Sequence, residues 1–128
     1  MSTEKRSITF LTDVRLITCI VQRGLGDTIV QAARDAGAQG ATVYFAKGSG
    51  VRERLGMLGV AVEVEKEVVN IVVATEQLDT VFDHVFLVGQ LDTPGMGFMY
   101  VTPLEKAATY IPHELVKQLQ QKSAESAK

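Results

Sequence analysis

The 128 residues carry 13 basic and 15 acidic side chains, for a formal charge of −2. With no basic stripe and no interleaved aromatics, that balance argues against nucleic-acid binding and against bulk attachment to an anionic membrane. The length fits one domain with one core, and a single cysteine, Cys19, excludes an intramolecular disulfide and reads as a buried small hydrophobe. The apolar run Ile8–Leu11 is ended by Thr12 and Asp13, too early for a signal peptide or a membrane span, so a soluble cytoplasmic protein is expected.

Residues 14–22 are apolar on both alternating faces after the first positions, as expected of a central strand covered on two sides. Gln22-Arg23-Gly24-Leu25-Gly26 reads as a turn, with Asp27 or Thr28 as the cap of a helix over 27–37. Ile29, Val30, Ala33 and Ala36 form its apolar face, and Gly37 stops it. A second strand is expected over 41–47. The segment Gly48 to Glu65 follows, rich in glycine and carrying Arg52, Glu53 and Arg54, and reads as a long, mobile excursion. Segments of this length inside a compact domain are usually functional; a plain hairpin extension is the alternative.

A third strand is expected over 67–74, apolar on both faces except at Asn70. The helix after it, within 77–90, buries Leu78, Val81, Phe82, Val85 and Val88 or Gly89, with Asp79, Asp83 and His84 outside or at the edge. Residues 97–103 hold the fourth strand, 107–111 a short edge strand, and 113–121 an amphipathic terminal helix before a disordered tail. The chain thus divides into an extension (1–13), a domain (14–111) with its loop at 48–66, and a terminal segment (112–128).

The order βαββαβ is the ferredoxin-like α+β arrangement, a four-stranded antiparallel sheet with both helices on one face. Helices on one face leave the other bare although the strands are apolar on both sides, so a closed oligomer in which the open faces meet is expected. The pattern is also duplicated. Gly48-Ser49-Gly50 and Gly95-Met96-Gly97 occupy corresponding places in the two halves, where amides without a neighbouring Cβ suit a phosphorylated ligand.

Across residues 14–111 the chain resembles the trimeric PII signalling proteins. The resemblance rests on the element order, on Gly37 and Gly40-Ala-Thr42-Val before the second strand, on Lys47-Gly48-Ser-Gly50, on Glu65-Lys66 before Val69-Asn-Ile-Val-Val, and on Gly95-Met-Gly97. It implies a homotrimer with an adenine nucleotide (ATP, ADP or AMP) between neighbouring subunits, surrounded by Thr42, Gly48, Ser49, Gly50, Lys66, Gly95, Met96 and Gly97. Magnesium and a small carboxylate or bicarbonate effector are further ligands it implies. The loop at 48–66, the family's T-loop, would carry the signal to a target protein, such as a membrane transporter, an enzyme or a transcription regulator of nitrogen or carbon metabolism, with Arg52, Arg54, Leu55, Met57 and Leu58 as the contact residues.

The chain also departs from the family. Phe98 stands where the family has a phosphate-binding lysine, Met96 replaces an acidic residue, and the positions of two phosphate-binding arginines fall near Thr109 and Ile111. Each charge-assisted contact contributes about 1.5–3 kcal/mol, so weaker triphosphate binding is expected unless Arg52, Arg54 or Lys106 substitutes. Arg52 also occupies the place of a glutamine that helps hold magnesium and 2-oxoglutarate. No catalytic order of Ser, His and Asp and no metal-ligand spacing occurs, so an enzyme is not expected, and neither is a catalytic cofactor. A metal- or ion-responsive trimer without nucleotide, with His84 or the acidic edge as ligands, and the regulatory subunit of an enzyme are the alternative readings.

Overall fold

The structure, a computed structural model, describes residues 7–48, 64–110 and 114. In chain order these form β1 (Phe10–Leu11), β2 (Val14–Gln22), α1 (Gly26–Asp35), β3 (Thr42–Gly48), β4 (Val64–Ala74), a 3-10 turn (Thr75–Gln77), α2 (Leu78–Val88), β5 (Gly97–Pro103) and β6 (Ala107–Ala108). Of the described residues, those within 13–104 belong to one compact unit, and those before 13 and after 104 to another.

In the larger unit the four long strands form one antiparallel sheet in the order β3-β4-β2-β5. Successive side chains in a strand point to opposite faces, so odd and even positions divide cleanly. Ile17, Cys19 and Val21 of β2 and Val69, Ile71 and Val73 of β4 are fully or almost fully buried, in one cluster with Ile29, Ala32 and Ala33 of α1 and Val81 and Val85 of α2. This is the ferredoxin-like sheet with two helices on one face. The helical stripes follow the sequence pattern, and Gly89, not the half-exposed Val88, closes the stripe of α2.

On the opposite face the even positions form rows across the sheet: Tyr44, Val68, Ile20 and Phe98; Thr42, Asn70, Thr18 and Tyr100; Val72, Leu16 and Thr102. Tyr44, Val72, Phe98 and Tyr100 are each exposed, and the Phe98 and Tyr100 rings stack at 5.8 Å. Within the apolar rows Asn70 is satisfied by Thr18, whose Oγ1 donates to Asn70 Oδ1 at 2.9 Å.

The start of α1 differs from expectation. Neither Asp27 nor Thr28 caps it; the helix begins at Gly26, and its N-cap, Leu25, makes no side-chain bond. The anion at this end comes from another strand. Glu67, buried on β4, accepts the N–H of Gly24, and a Cβ on Gly26 would collide with the same carboxylate. A carboxylate at a helix N-terminus satisfies free amides and complements the dipole. The C-termini of both helices close alike: Gly37 N–H donates to Arg34 and Ala38 N–H to Ala33, while Gln90 N–H donates to Leu87 and Leu91 N–H to Phe86.

Two other boundaries move. β4 begins at Val64, earlier than its apolar run, because Val64, Glu65 and Lys66 pair with Gly48, Lys47 and Ala46. The short strand expected over 107–111 is two residues long and pairs with β1, not with the four-stranded sheet. In that smaller unit Lys106 Nζ lies 4.6 Å from the Phe10 ring centroid, a cation–π contact that engages one of the cations considered for phosphate binding. The terminal helix expected over 113–121 and the tail lie outside the described residues except for Glu114.

Replacing Glu67 by Ala leaves the Gly24 amide without its acceptor, and about 1–3 kcal/mol of unfolding free energy is expected to be lost. Thr28→Ala is expected to change it by less than about 0.5 kcal/mol; urea titration at one protomer concentration checks both. Burial pushes the Cys19 thiol up to about 12 from its ordinary 9.0. The native state thus holds a proton that the unfolded chain releases, so this group leaves stability unchanged below pH 9.0 and lowers it as pH rises from there toward about 12. Native protein at pH 8 is expected not to react with an aromatic disulfide reagent, and unfolded protein to react fully.

Candidate functional site

The antiparallel order brings four strand ends to one edge of the sheet: the last residues of β2 and β3 and the first of β4 and β5. Gly48, at the end of β3, and the glycine turn before β5 therefore lie at the same end. Register places Ala46, Lys66 and Gln22 in a row on the helix-free face, with Gly97 opposite Val21 one step further in. Gly48 on β3 and Gly97 on β5 belong to opposite edge strands, three strand spacings or about 14 Å apart.

The turn before β5 is built by backbone bonds and close approach. Thr93 N–H donates to Gln90 at 2.9 Å and Met96 N–H to Thr93 at 3.2 Å, while the Gln22 side chain donates to the Gly95 carbonyl at 2.5 Å. Gly97 has φ +142°, and a Cβ there would lie 2.3 Å from the Ile20 carbonyl oxygen, so only glycine lets β5 start beside β2. Met96 is half-buried and packs against the core cluster, which makes its side chain an anchor of the turn.

Of the other residues expected at the site, Lys66 lies on β4 beside Gln22, at the glycine end. Thr42 lies at the start of β3, six residues or about 20 Å from Gly48 along the strand, on the helix-free face. One chain therefore groups Gly48, Lys66 and Gly95–Gly97 and holds Thr42 apart. Ser49, Gly50, Arg52, Arg54, Leu55, Met57 and Leu58 lie outside the described residues. Among the described residues no group of three or more His, Cys, Asp or Glu side chains is placed to hold a metal ion. None of their helices is long and apolar enough to cross a membrane.

Four side chains at this end escaped the sequence reading. Gln22 holds the turn and Glu67 fills the start of α1; Arg23 and Glu65 form an ion pair at 3.1 Å between the β2–α1 turn and the root of β4, with Lys47 opposite Glu65 across the sheet. Their partners are 42 to 73 residues distant in sequence, so only the β2–β4 and β2–β5 registers could have revealed them.

Gln22→Ala is expected to speed amide hydrogen exchange at Gly95–Gly97 and to cost no more than about 1 kcal/mol of global stability. Gly97→Ala is expected to disrupt the β2–β5 pairing itself, with exchange spreading along both strands.

The family model described as "Nitrogen regulatory protein P-II" matches residues 14–114. Among solved structures, that of Arabidopsis thaliana PII bound to citrate superposes with a TM-score of 0.57 at 21% identity, covering 73% of this chain and 79% of that one. That likeness speaks to the fold. A search of the curated proteins found no match.

Proposed function

The chain belongs to the nitrogen regulatory protein P-II family of signal-transduction proteins, and from that membership we propose that it binds an adenine nucleotide between neighbouring subunits of a homotrimer. Occupancy is then passed to a partner protein through the segment 49–63. The observation that supports this reading is that Gly48 and the turn Gly95–Gly97 lie at one end of the sheet but on opposite edge strands.

A ring with heterologous contacts sets unlike edges against each other, whereas a two-fold dimer sets like surfaces together. Three copies so arranged bring the β3 edge of one subunit toward the β5 edge of the next, with Gly48, Ser49 and Gly50 on one wall of the cleft and Gly95, Met96 and Gly97 on the other. Thr42, on the same β3 edge as Gly48 and at its other end, offers a hydroxyl to the nucleoside along that interface. The same closure covers Tyr44, Val72, Phe98 and Tyr100, whose exposure on one face is otherwise costly.

The turn amides and Lys66 receive phosphate oxygens, and Arg52 and Arg54 are further cations for them or for a second effector. Phe98, exposed at the start of β5, offers no charge there, which favours few phosphates over many. A small carboxylate is a second ligand class, supported by the citrate bound to the Arabidopsis protein; bicarbonate and magnesium belong to the same panel. Leu55, Met57 and Leu58 with the two arginines supply an apolar anchor flanked by charge for a transporter, enzyme or transcription regulator. The proposed setting is cytoplasmic, in nitrogen or carbon metabolism, and the role is regulation without catalysis.

Two measurements test the reading. Sedimentation is expected to show a trimer, and Val72→Asp, which places a charge on the covered face, is expected to give monomers or unfolded chain. Thermal melts are expected to rise with at least one of ATP, ADP and AMP, with and without magnesium, citrate, 2-oxoglutarate or bicarbonate; no shift with any nucleotide in that panel would sink the proposal.

A further inference from the structure

Resting on the nucleotide reading above, we propose that Arg23 is a phosphate-binding residue of the cleft, held by Glu65 in the absence of ligand and transferred to the ligand's phosphate on binding. Three observations carry it. Arg23 directly follows Gln22, whose side chain holds the Gly95 carbonyl, and Val21 of the same strand end pairs with Gly97. The Arg23 backbone therefore adjoins the turn proposed to meet the ligand, while its guanidinium rests on the β4 side of β2 with Glu65.

The ion pair itself is built for exchange. Its side chains are 72% and 44% exposed, and pairs so open to water add little stability. A guanidinium presents a fixed fork of donors that fits phosphate as well as carboxylate, and phosphate brings more charge and three acceptor oxygens. With no cation at Phe98, Arg23 is a described arginine within one residue of that end of β2.

Exchange has a consequence at the loop. Glu65 is the second residue of β4, where the chain returns from 49–63, and its register partner Lys47 is the next-to-last residue of β3, where the chain leaves. Taking Arg23 away leaves Glu65 facing Lys47 across the loop's two roots, so one phosphate changes the charge pairing on both sides of the signalling segment. A fixed surface pair makes the opposite prediction, since its two members would then be equally irrelevant to ligand.

The test is calorimetric titration of the full-length chain with AMP, ADP and ATP, and with adenosine as the ligand lacking phosphate, for wild type, Arg23→Ala, Arg23→Lys and Glu65→Gln. Arg23→Ala is expected to weaken the nucleotides by about tenfold or more and to leave adenosine within about twofold, with Arg23→Lys recovering part of the loss. Glu65→Gln is expected to tighten nucleotide binding by roughly threefold or more, because the arginine no longer has a competing carboxylate. Wild-type affinity in Arg23→Ala overturns the inference alone, as does a Glu65→Gln variant as weak as Arg23→Ala. A wild-type chain that binds none of the nucleotides overturns the nucleotide reading, and this inference with it.

Discussion

Two helices can cover only one side of a four-stranded sheet, and in this chain both sides are apolar. Ile17, Cys19, Val21, Val69, Ile71 and Val73 face the helices and are buried; Leu16, Ile20, Val68 and Val72 face away, with no second layer over them among the described residues. The hydrophobic effect scales with apolar area, at about 25 cal/mol per Å², so an open face of this kind draws a partner surface toward it. The Thr18–Asn70 pair narrows the choice of partner. A hydrogen-bonded polar couple in the middle of apolar rows tolerates burial only while both groups remain satisfied, which penalises registers that would part them. The proposed assembly, and the cleft proposed with it, rest on that uncovered face.

Periodicity was enough to find β2, α1, β3, α2 and β5, because each carries its own burial pattern in consecutive residues. It failed where the deciding partner is distant. Asp27 and Thr28 are good capping residues by type, yet the helix starts before both, at Gly26, and the carboxylate at this end is Glu67 of β4, which accepts the Gly24 N–H in the turn ahead of the helix. The segment Val64-Glu65-Lys66, with two charges in three residues, reads as loop and is strand, because pairing with the edge strand β3 supplies the hydrogen bonds that composition does not announce. Ala107–Ala108 shows the reverse: a weak apolar run that pairs with β1 and not with the main sheet.

The glycine turns were visible as a duplicated motif, but their relation was not. Only the strand order shows that Gly48 and Gly97 share an end of the sheet while standing on opposite edges, and that Thr42 lies at the far end of the same strand as Gly48. Those positions are the reason the proposed site is one shared between chains and not one complete within a single chain. The charged residues of that end were the least legible part. Arg23 and Glu65 are unremarkable in sequence and become a pair through the β2–β4 register alone.

The chain contains a third glycine turn, Gly24-Leu25-Gly26, which by composition competes with the other two as a phosphate seat. It opens a ten-residue helix, the kind of place where amides and dipole together attract an anion. Here the anion is the protein's own. Glu67 accepts the Gly24 N–H, and the absence of a Cβ on Gly26 admits that carboxylate. A phosphate entering there would have to displace a buried side chain and face its charge. At Gly95–Gly97 the contact from Gln22 uses a carbonyl, not an amide, so the turn is braced without an internal anion. The difference between a filled and a braced glycine turn, set by one strand residue in each case, separates the turn that starts a helix from the turn proposed to receive a ligand.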